Sequence, residues 1–244
     1  MSDHSSFRNI LRASFAKLGH VCLSLSKKIY TSPREQEKQR YVKDERERSL
    51  RVRYPLTSQS IVLDVGGYEG QWASDIVAMY GCTVHVFEPV PAFAEQIRRR
   101  FQHNPLVHVH AYGLGAKDET LEIALLENGT SLFRNETGAN TQSVAIRDIS
   151  HVWKELALDQ VGLMKMNIEG AEYPLLARME EQNLLSHVRD FQIQFHDFVP
   201  EAKQELKKAQ TALAKTHRPT YQYAFIWENW ERTNSVPANR AEGR

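Results

Sequence analysis

An apolar run that breaks on glycines and passes at once into a helix is the strongest constraint in this chain. IVLDVGGYEG, residues 61–70, leads directly to QWASDIVAMY, residues 71–80, with Gly81 as the stop. Gly66, Gly67 and Gly70 fall within five positions. Glycine at that density marks a turn where something approaches too closely for a side chain. A strand, a glycine turn and a helix in that order also present a helix N-terminus to a ligand.

The pattern then repeats. Hydrophobic periodicity predicts strands near 60–65, 83–88, 106–112, 161–167 and 189–196, and helices near 70–80, 91–102, 148–157, 171–185 and 200–216. Such alternation implies an α/β fold, a parallel sheet with helices on both faces. Residues 119–149 are too long for a plain crossover. They carry two strand-like pieces, LEIALL and SVAI, around a polar segment, and loop 118–147 is a candidate substrate loop. The late segment TYQYAFIWENWER has room for two strands and no helix between them, as an antiparallel edge requires.

Upstream, Phe7, Leu11, Phe15, Leu18, Val21 and Leu25 predict an amphipathic helix over residues 5–29. It suits packing on the domain or on a second subunit, or contact with an anionic membrane surface. The charge-dense stretch SPREQEKQRYVKDERERSLRVR follows as a solvated helix or loop. The organisation expected is therefore a helical extension and connector over 1–54, one domain over 55–235, and a tail over 236–244. No apolar run is long enough to span a bilayer, and no secretory signal stands at the N-terminus. Cys22 and Cys82 lack metal-ligand spacing and read as reduced thiols, which places the chain in the cytoplasm.

The net charge of +1 is unevenly spread. Residues 1–60 hold 13 Lys and Arg against 6 Asp and Glu, which leaves residues 61–244 at −6. An acidic body argues against nucleic acid as the partner.

The glycine turn has the spacing D-x-G-x-x-x-G, from Asp64 through Gly66 to Gly70. The G-x-G-x-x-G dinucleotide fingerprint is missing, because Tyr68 stands where its middle glycine would be. Glu88 closes the next strand in VHVFEPVP, where an acidic side chain can bind the two hydroxyls of a ribose. The plainer alternative is a helix cap.

VLDVGGYEG, VFEPVP and LMKMNIEGAEYPLL, in this order, resemble the FkbM family of S-adenosylmethionine-dependent methyltransferases over about residues 55–200. The resemblance implies a class I methyltransferase (Rossmann-like) fold, a seven-stranded mixed sheet whose last strand is antiparallel. It also implies that the turn holding Asp64, Gly66, Gly67, Tyr68 and Gly70 binds the amino-acid part of S-adenosylmethionine, with Glu88 on the ribose. The implied reaction is O-methylation of a sugar, glycan or secondary metabolite. One departure is Asn167, where the family's fourth strand usually carries Asp.

On that strand, Met164, Met166 and Ile168 alternate with Lys165, Asn167 and Glu169. Central parallel strands are normally apolar on both faces, so polar alternation near a C-terminal strand end suggests a site. A Lys165–Glu169 ion pair that only fixes the sheet end is the plainer alternative. The fifth strand, FQIQFHDF, ends near His196, a side chain suited to accept a proton near neutral pH. The catalytic candidates are therefore His196, Glu169, Lys165 and Asn167, with His196 or Glu169 as base. The remaining histidines show no ligand spacing, so no catalytic zinc is expected; Glu169 and Asp197 could at most share a magnesium ion. Two other readings compete. One is a nicotinamide-dependent oxidoreductase, which Tyr68 argues against; the other is a non-catalytic cofactor-binding or membrane-docked scaffold, which Asn167 keeps open.

Overall fold

The structure is a computed structural model and describes residues 32–44, 50–126, 129–131 and 141–233. The helix expected over 5–29 and the tail expected over 236–244 lie outside the described residues. In chain order the elements are α1 (Pro33–Lys43), β1 (Ile61–Val65), α2 (Gln71–Tyr80), β2 (Thr83–Phe87), α3 (Pro91–Arg100) and β3 (Val107–His110). Four strands and a helix follow: β4 (Gly113–Gly115), β5 (Glu119–Leu126), β6 (Gly129–Ser131), β7 (Thr141–Asp148) and α4 (Ile149–Glu155). The last elements are β8 (Val161–Met166), α5 (Glu172–Glu181), β9 (Val188–Ile193), α6 (Ala202–Leu213), β10 (His217–Tyr223) and β11 (Trp227–Arg232).

Seven strands form the main sheet in the order β3-β2-β1-β8-β9-β11-β10. The first five are mutually parallel, and β11 pairs antiparallel with both β9 and β10. The strand alternation sorts side chains into two core layers. Leu63, Val65, Met164 and Met166 pack with α4, α5 and α6, while Val62, Val84, Val86 and Leu163 pack with α2 and α3. This is the class I methyltransferase arrangement, and β10 and β11 supply its antiparallel edge.

The strand-like pieces of residues 119–149 pair with each other. β5 and β7 run antiparallel, with Leu121 opposite Val144, and join β4 and β6 in a second sheet ordered β4-β7-β5-β6. Ile123 and Val144 are buried against Val90. What reads as a loop in sequence is thus a wall with an apolar face.

The connector is more than a solvated helix. Ser32 caps α1 by accepting from the Glu35 amide, and Tyr41 is buried edge-on against Tyr223, with ring centroids 5.3 Å apart. Arg40 donates to the Gln222 carbonyl at 2.7 Å. Further on, Leu56 is buried, and Val52 and Tyr54 pack on the α2 layer. Tyr80 donates to the Val52 carbonyl at 2.8 Å and accepts from the Tyr54 amide at 2.9 Å. The packed body therefore extends upstream of residue 55. Among the described residues no helix is long and apolar enough to cross a membrane.

Candidate active site

The glycine turn connects β1 to α2. Gly66 has φ +86°, and a Cβ there would overlap the backbone carbonyl oxygen of Asn167. At Gly67 a Cβ would overlap Val86 Cγ1. What comes close to this backbone is thus the end of β8 and the flank of β2. Gly70, at φ +76°, is the N-cap of α2. The glycines let the chain turn so tightly that the amides of Gly66 and Gly67 both reach the Phe87 carbonyl, at 3.0 and 3.3 Å.

Asp64 and Lys165 are cross-strand neighbours on β1 and β8. Asp64 is fully buried, and the Lys165 ammonium donates to its Oδ1 at 2.8 Å and to the Gly66 carbonyl at 2.6 Å. Lys165 is thus paired with Asp64, not with Glu169. Burial raises the Asp64 carboxyl above the usual range, although the lysine pulls it down.

Above these residues lies a cavity of about 380 Å³ at the C-terminal ends of the parallel strands. That volume lies in the range of about 300–1,000 Å³ usual for small-molecule sites. Gly66, Gly67, Tyr68, Glu88, Lys165, Asn167 and Glu169 line it; Asp64, Gly70 and His196 do not. Ile123, Val144 and Ile146 of the second sheet close one side, beside Pro89 and Phe93. Tyr68 and Phe93 stand edge to face with centroids 4.8 Å apart.

Glu88 accepts from the Tyr68 amide at 2.8 Å and from the Val90 amide at 2.9 Å, one bond per carboxylate oxygen. Burial raises its pKa while the two amides pull it down. Each oxygen keeps acceptor capacity, because an ionised carboxylate has about four lone-pair sites. Asn167 Oδ1 is buried and meets no hydrogen-bond partner within the described residues. A buried acceptor of this kind is satisfied by a donor from water, an ion or a bound ligand.

β8 ends at Met166, so strand alternation does not extend to Glu169. Instead Glu169 sits in the left-handed region at φ 55°, just before Gly170 at φ 100°. Backbone held there by a residue other than glycine costs on the order of 1–3 kcal/mol and recurs at functional sites. The turn sends the Glu169 side chain to the cavity wall. Behind it lies His196, past the end of β9 and 2% exposed, with Nε2 3.7 Å from Glu169 Oε1. On its other side, Nδ1 of His196 lies 2.8 Å from Oε1 of Glu172. Glu172 is fully buried and also accepts from the amides of His196 and Gly170, at 2.8 and 2.9 Å. Asp197 faces Arg34 of α1 at 3.7 Å. Among the described residues, no three His, Cys, Asp or Glu side chains gather as a metal site would need.

Three residues of this site escaped the sequence reading. Glu172 sits in the first turn of α5, where an acidic side chain is ordinary; its burial is decided by His196, 24 positions away. Arg51 and Trp72 also line the cavity, joined by a bond from Trp72 Nε1 to the Arg51 carbonyl at 2.9 Å. Neither has a local signature.

Among curated proteins, no relative matches this chain. Solved structures with a similar trace include an rRNA methylase from Streptococcus thermophilus, 9% identical, covering 72% of this chain and 89% of that one at a TM-score of 0.44. The fibrillarin pre-rRNA processing protein of Methanococcus jannaschii is 9% identical over 73% and 68% of the two chains, at 0.43. A methyltransferase from Pyrococcus furiosus is 10% identical over 72% and 75%, at 0.37. Likeness at that level carries no argument about acceptor or mechanism. The sequence profile of the methyltransferase FkbM domain matches residues 64–227, from the buried Asp64 of β1 to the first residue of β11. The chain belongs to the FkbM family of methyltransferases, enzymes that take their methyl group from S-adenosylmethionine.

Proposed function

We propose that the protein methylates a hydroxyl oxygen of a small acceptor, a sugar, glycan or secondary metabolite, with Glu169 receiving the proton. The observation that carries this reading is the strained turn that places the Glu169 carboxylate on the cavity wall, backed by His196 and Glu172.

The residues present fit S-adenosylmethionine. Glu88 is an acceptor for the ribose hydroxyls, and Asn167 Oδ1 is an orphan acceptor for an ammonium group. The apolar side made by Pro89, Phe93 and Ile146 suits a flat base. When bound, the cofactor supplies an electrophilic methyl group, so holding the acceptor oxygen in line does much of the work. Tyr68 stands 46% exposed beside Phe93, an aromatic surface for a ring-shaped acceptor. Glu169 takes the hydroxyl proton, and His196, held by Glu172, stands where it can orient that carboxylate. The lining also favours an acceptor without phosphates: Glu69 and Glu169 both face the cavity, and carboxylates repel a nucleic-acid backbone.

The test is transfer of a labelled methyl group from S-adenosylmethionine to a panel of sugars, glycans and polyhydroxylated metabolites, with RNA as a separate arm. The reading expects transfer to a hydroxyl acceptor and loss of it in Glu169→Gln, with cofactor affinity retained. Transfer confined to RNA, or full turnover by Glu169→Gln, would overturn it.

A further inference from the structure

We propose that residues 5–29 bind the surface of an anionic lipid bilayer and hold the active-site side of the protein against it. Docking of this kind is independent of what the cavity binds.

The charge of the segment is one-sided. Between Asp3 and Glu35 stand six cations, Arg8, Arg12, Lys17, Lys27, Lys28 and Arg34, and no Asp or Glu. The apolar residues are ordered as well. At helical period Phe7, Leu11, Phe15, Leu18, Val21 and Leu25 fall on one stripe about 120° wide, with Arg8, Arg12, Lys17 and Lys27 outside it. Phenylalanine and leucine on one side with lysine and arginine on the other is the pattern of a segment lying in the headgroup plane. Basic side chains beside the stripe can bury their stems there and keep their charges among the lipid phosphates.

The protein itself offers such a stripe little to pack on. Among the described residues three large apolar side chains are exposed, Val42, Tyr68 and Met79. They lie on α1, the glycine turn and the end of α2, so they do not form one continuous apolar patch. A second copy of the segment would bring like charges together, whereas anionic headgroups neutralise them.

The place where the segment joins the body sets the orientation. Tyr30 and Thr31 separate it from Ser32, the cap of α1, and so short a link spans at most about 11 Å. α1 lies along the strand ends that carry the cavity. Arg34, in its first turn, is 3.7 Å from Asp197, past the end of β9 and next to His196. Tyr41, in its last turn, packs on Tyr223, the final residue of β10. β9 and β10 both run antiparallel to β11, so both contacts fall at the C-terminal edge of the parallel strands. α1 also exposes Arg34, Lys38 and Val42, spaced four apart and therefore on one side of the helix. A bilayer that holds residues 5–29 thus lies beside α1 and the cavity. Met79 is at the opposite edge, where α2 leads into β2.

The test is co-sedimentation of the full-length protein with vesicles of phosphatidylcholine, alone or mixed with an equal amount of phosphatidylglycerol. Binding should require the anionic lipid and weaken as salt is raised. The triple variant Arg8→Gln, Arg12→Gln and Lys17→Gln should bind about tenfold or more weakly, since each cation near the surface contributes. Phe15→Glu with Leu18→Glu should abolish binding without lowering the thermal melt. On vesicles, hydrogen exchange should slow in α1 and stay unchanged at the end of α2. No sedimentation, or equal sedimentation with phosphatidylcholine alone, would overturn the proposal. So would a lower melt in the double variant, which would put the stripe on the protein's own body. A dimer that the double variant splits would likewise overturn it and put the stripe on a second copy. Protection at the end of α2 in place of α1 would overturn the orientation.

Discussion

Asp64 and Lys165 meet at 2.8 Å in the middle of the sheet, with no water-exposed atom on the carboxylate side. A buried pair of this kind adds little net stability when intact, because both ions have been desolvated. Breaking it is another matter. Its second carboxylate oxygen, Asp64 Oδ2, has no hydrogen-bond partner among the described residues, so the lysine is the main compensation for that charge. Lys165→Met should therefore lower stability by about 3–5 kcal/mol. The double variant Asp64→Leu with Lys165→Met should recover most of that. Urea unfolding of the three proteins checks it, and a double variant no more stable than Lys165→Met would refute it.

Gly66 yields a second expectation. The turn reads in sequence as a ligand approach, yet the atom that a side chain would strike is the Asn167 carbonyl oxygen. Gly66→Ala adds that overlap to a positive φ, which alone costs an L-residue about 1–2 kcal/mol. It should destabilise the fold by roughly 2 kcal/mol or more. Gly81→Ala has the φ penalty alone, since nothing lies within 4 Å of its would-be Cβ. Parallel melts of the two variants should rank Gly66→Ala well below Gly81→Ala.

Glu88 serves both fold and ligand. Glu88→Gln keeps a carbonyl oxygen for one of the two amides and replaces the other oxygen with a donor. It should weaken S-adenosylhomocysteine binding by roughly 1.5–3 kcal/mol, the range for hydrogen bonds to a charged group. Glu88→Ala should lose at least as much and also melt earlier, because the Tyr68 and Val90 amides are left without their acceptor. Native affinity in Glu88→Ala would leave the residue a structural cap.

These cases show where sequence reading succeeds and where it stops. The parallel strands and their helices are legible because apolar periodicity is a local property; β1, β2 and β8 fall within a residue or two of their expected limits. The glycine turn and Glu88 are legible because a turn and a strand end can be located by spacing. Depth is not local. Alternation turns Asp64 and Lys165 toward one face, but only the register of β1 with β8 pairs them and takes Asp64 beneath the cavity. His196 likewise reads as a strand-end histidine, and only the fold shows it enclosed between Glu172 and Glu169. Arg51 reaches the site through Trp72 and Trp227, contacts that no nearby residue announces.

Stability should also depend on pH through histidines half-buried or buried at the sheet. His85 and His110 lie 3.1 Å apart, stacked with His108 and Phe87, and burial lowers both pKa values to about 4. His217, bonded to the Val188 carbonyl, is likewise lowered to about 4 by burial. In the unfolded chain these groups take up protons near 6.5, whereas the native state resists until about 4. The stability they contribute is whole above the unfolded value and is lost as pH falls through this window. Asp190 acts in the opposite sense, since burial raises its carboxyl to about 6, so the native state gains from its protonation over part of the same range. Burial raises the Asp64, Glu88 and Glu228 carboxyls in the same sense as Asp190, so the histidine contribution is read by comparing wild type with a variant that lacks the pair. Around the stack, Arg98, Arg147 and His108 disfavour a proton on His110, and Glu155 favours one. Between pH 7 and pH 5, acidification should cost wild type more stability than it costs the double variant His85→Phe with His110→Phe, as read from urea midpoints. An unchanged slope in the double variant would mean that the pair is not its source.

The last expectation separates the two candidate bases. Glu169 lines the cavity with a 35% exposed side chain, and His196 sits behind it with Nε2 3.7 Å from the carboxylate. If Glu169 receives the proton, Glu169→Gln removes the acceptor itself, and turnover should fall by about 10²–10⁴, the usual contribution of a general base. His196→Gln removes only the group that orients the carboxylate, so its turnover should fall by less. The two variants should also differ in pH dependence. The limb of the wild-type rate profile that reports ionisation of the base should vanish in Glu169→Gln and persist, displaced, in His196→Gln. Neither change should alter affinity for S-adenosylhomocysteine much, because neither residue is assigned to the cofactor. Glu172→Gln should resemble the histidine variant, since it removes the charge beside Nδ1 and puts an amide nitrogen where one of the acceptor oxygens stood. The reverse order, with His196→Gln the deeper loss and the ionisation limb gone from it alone, would move the proton acceptor to the histidine and leave Glu169 as its link to the cavity.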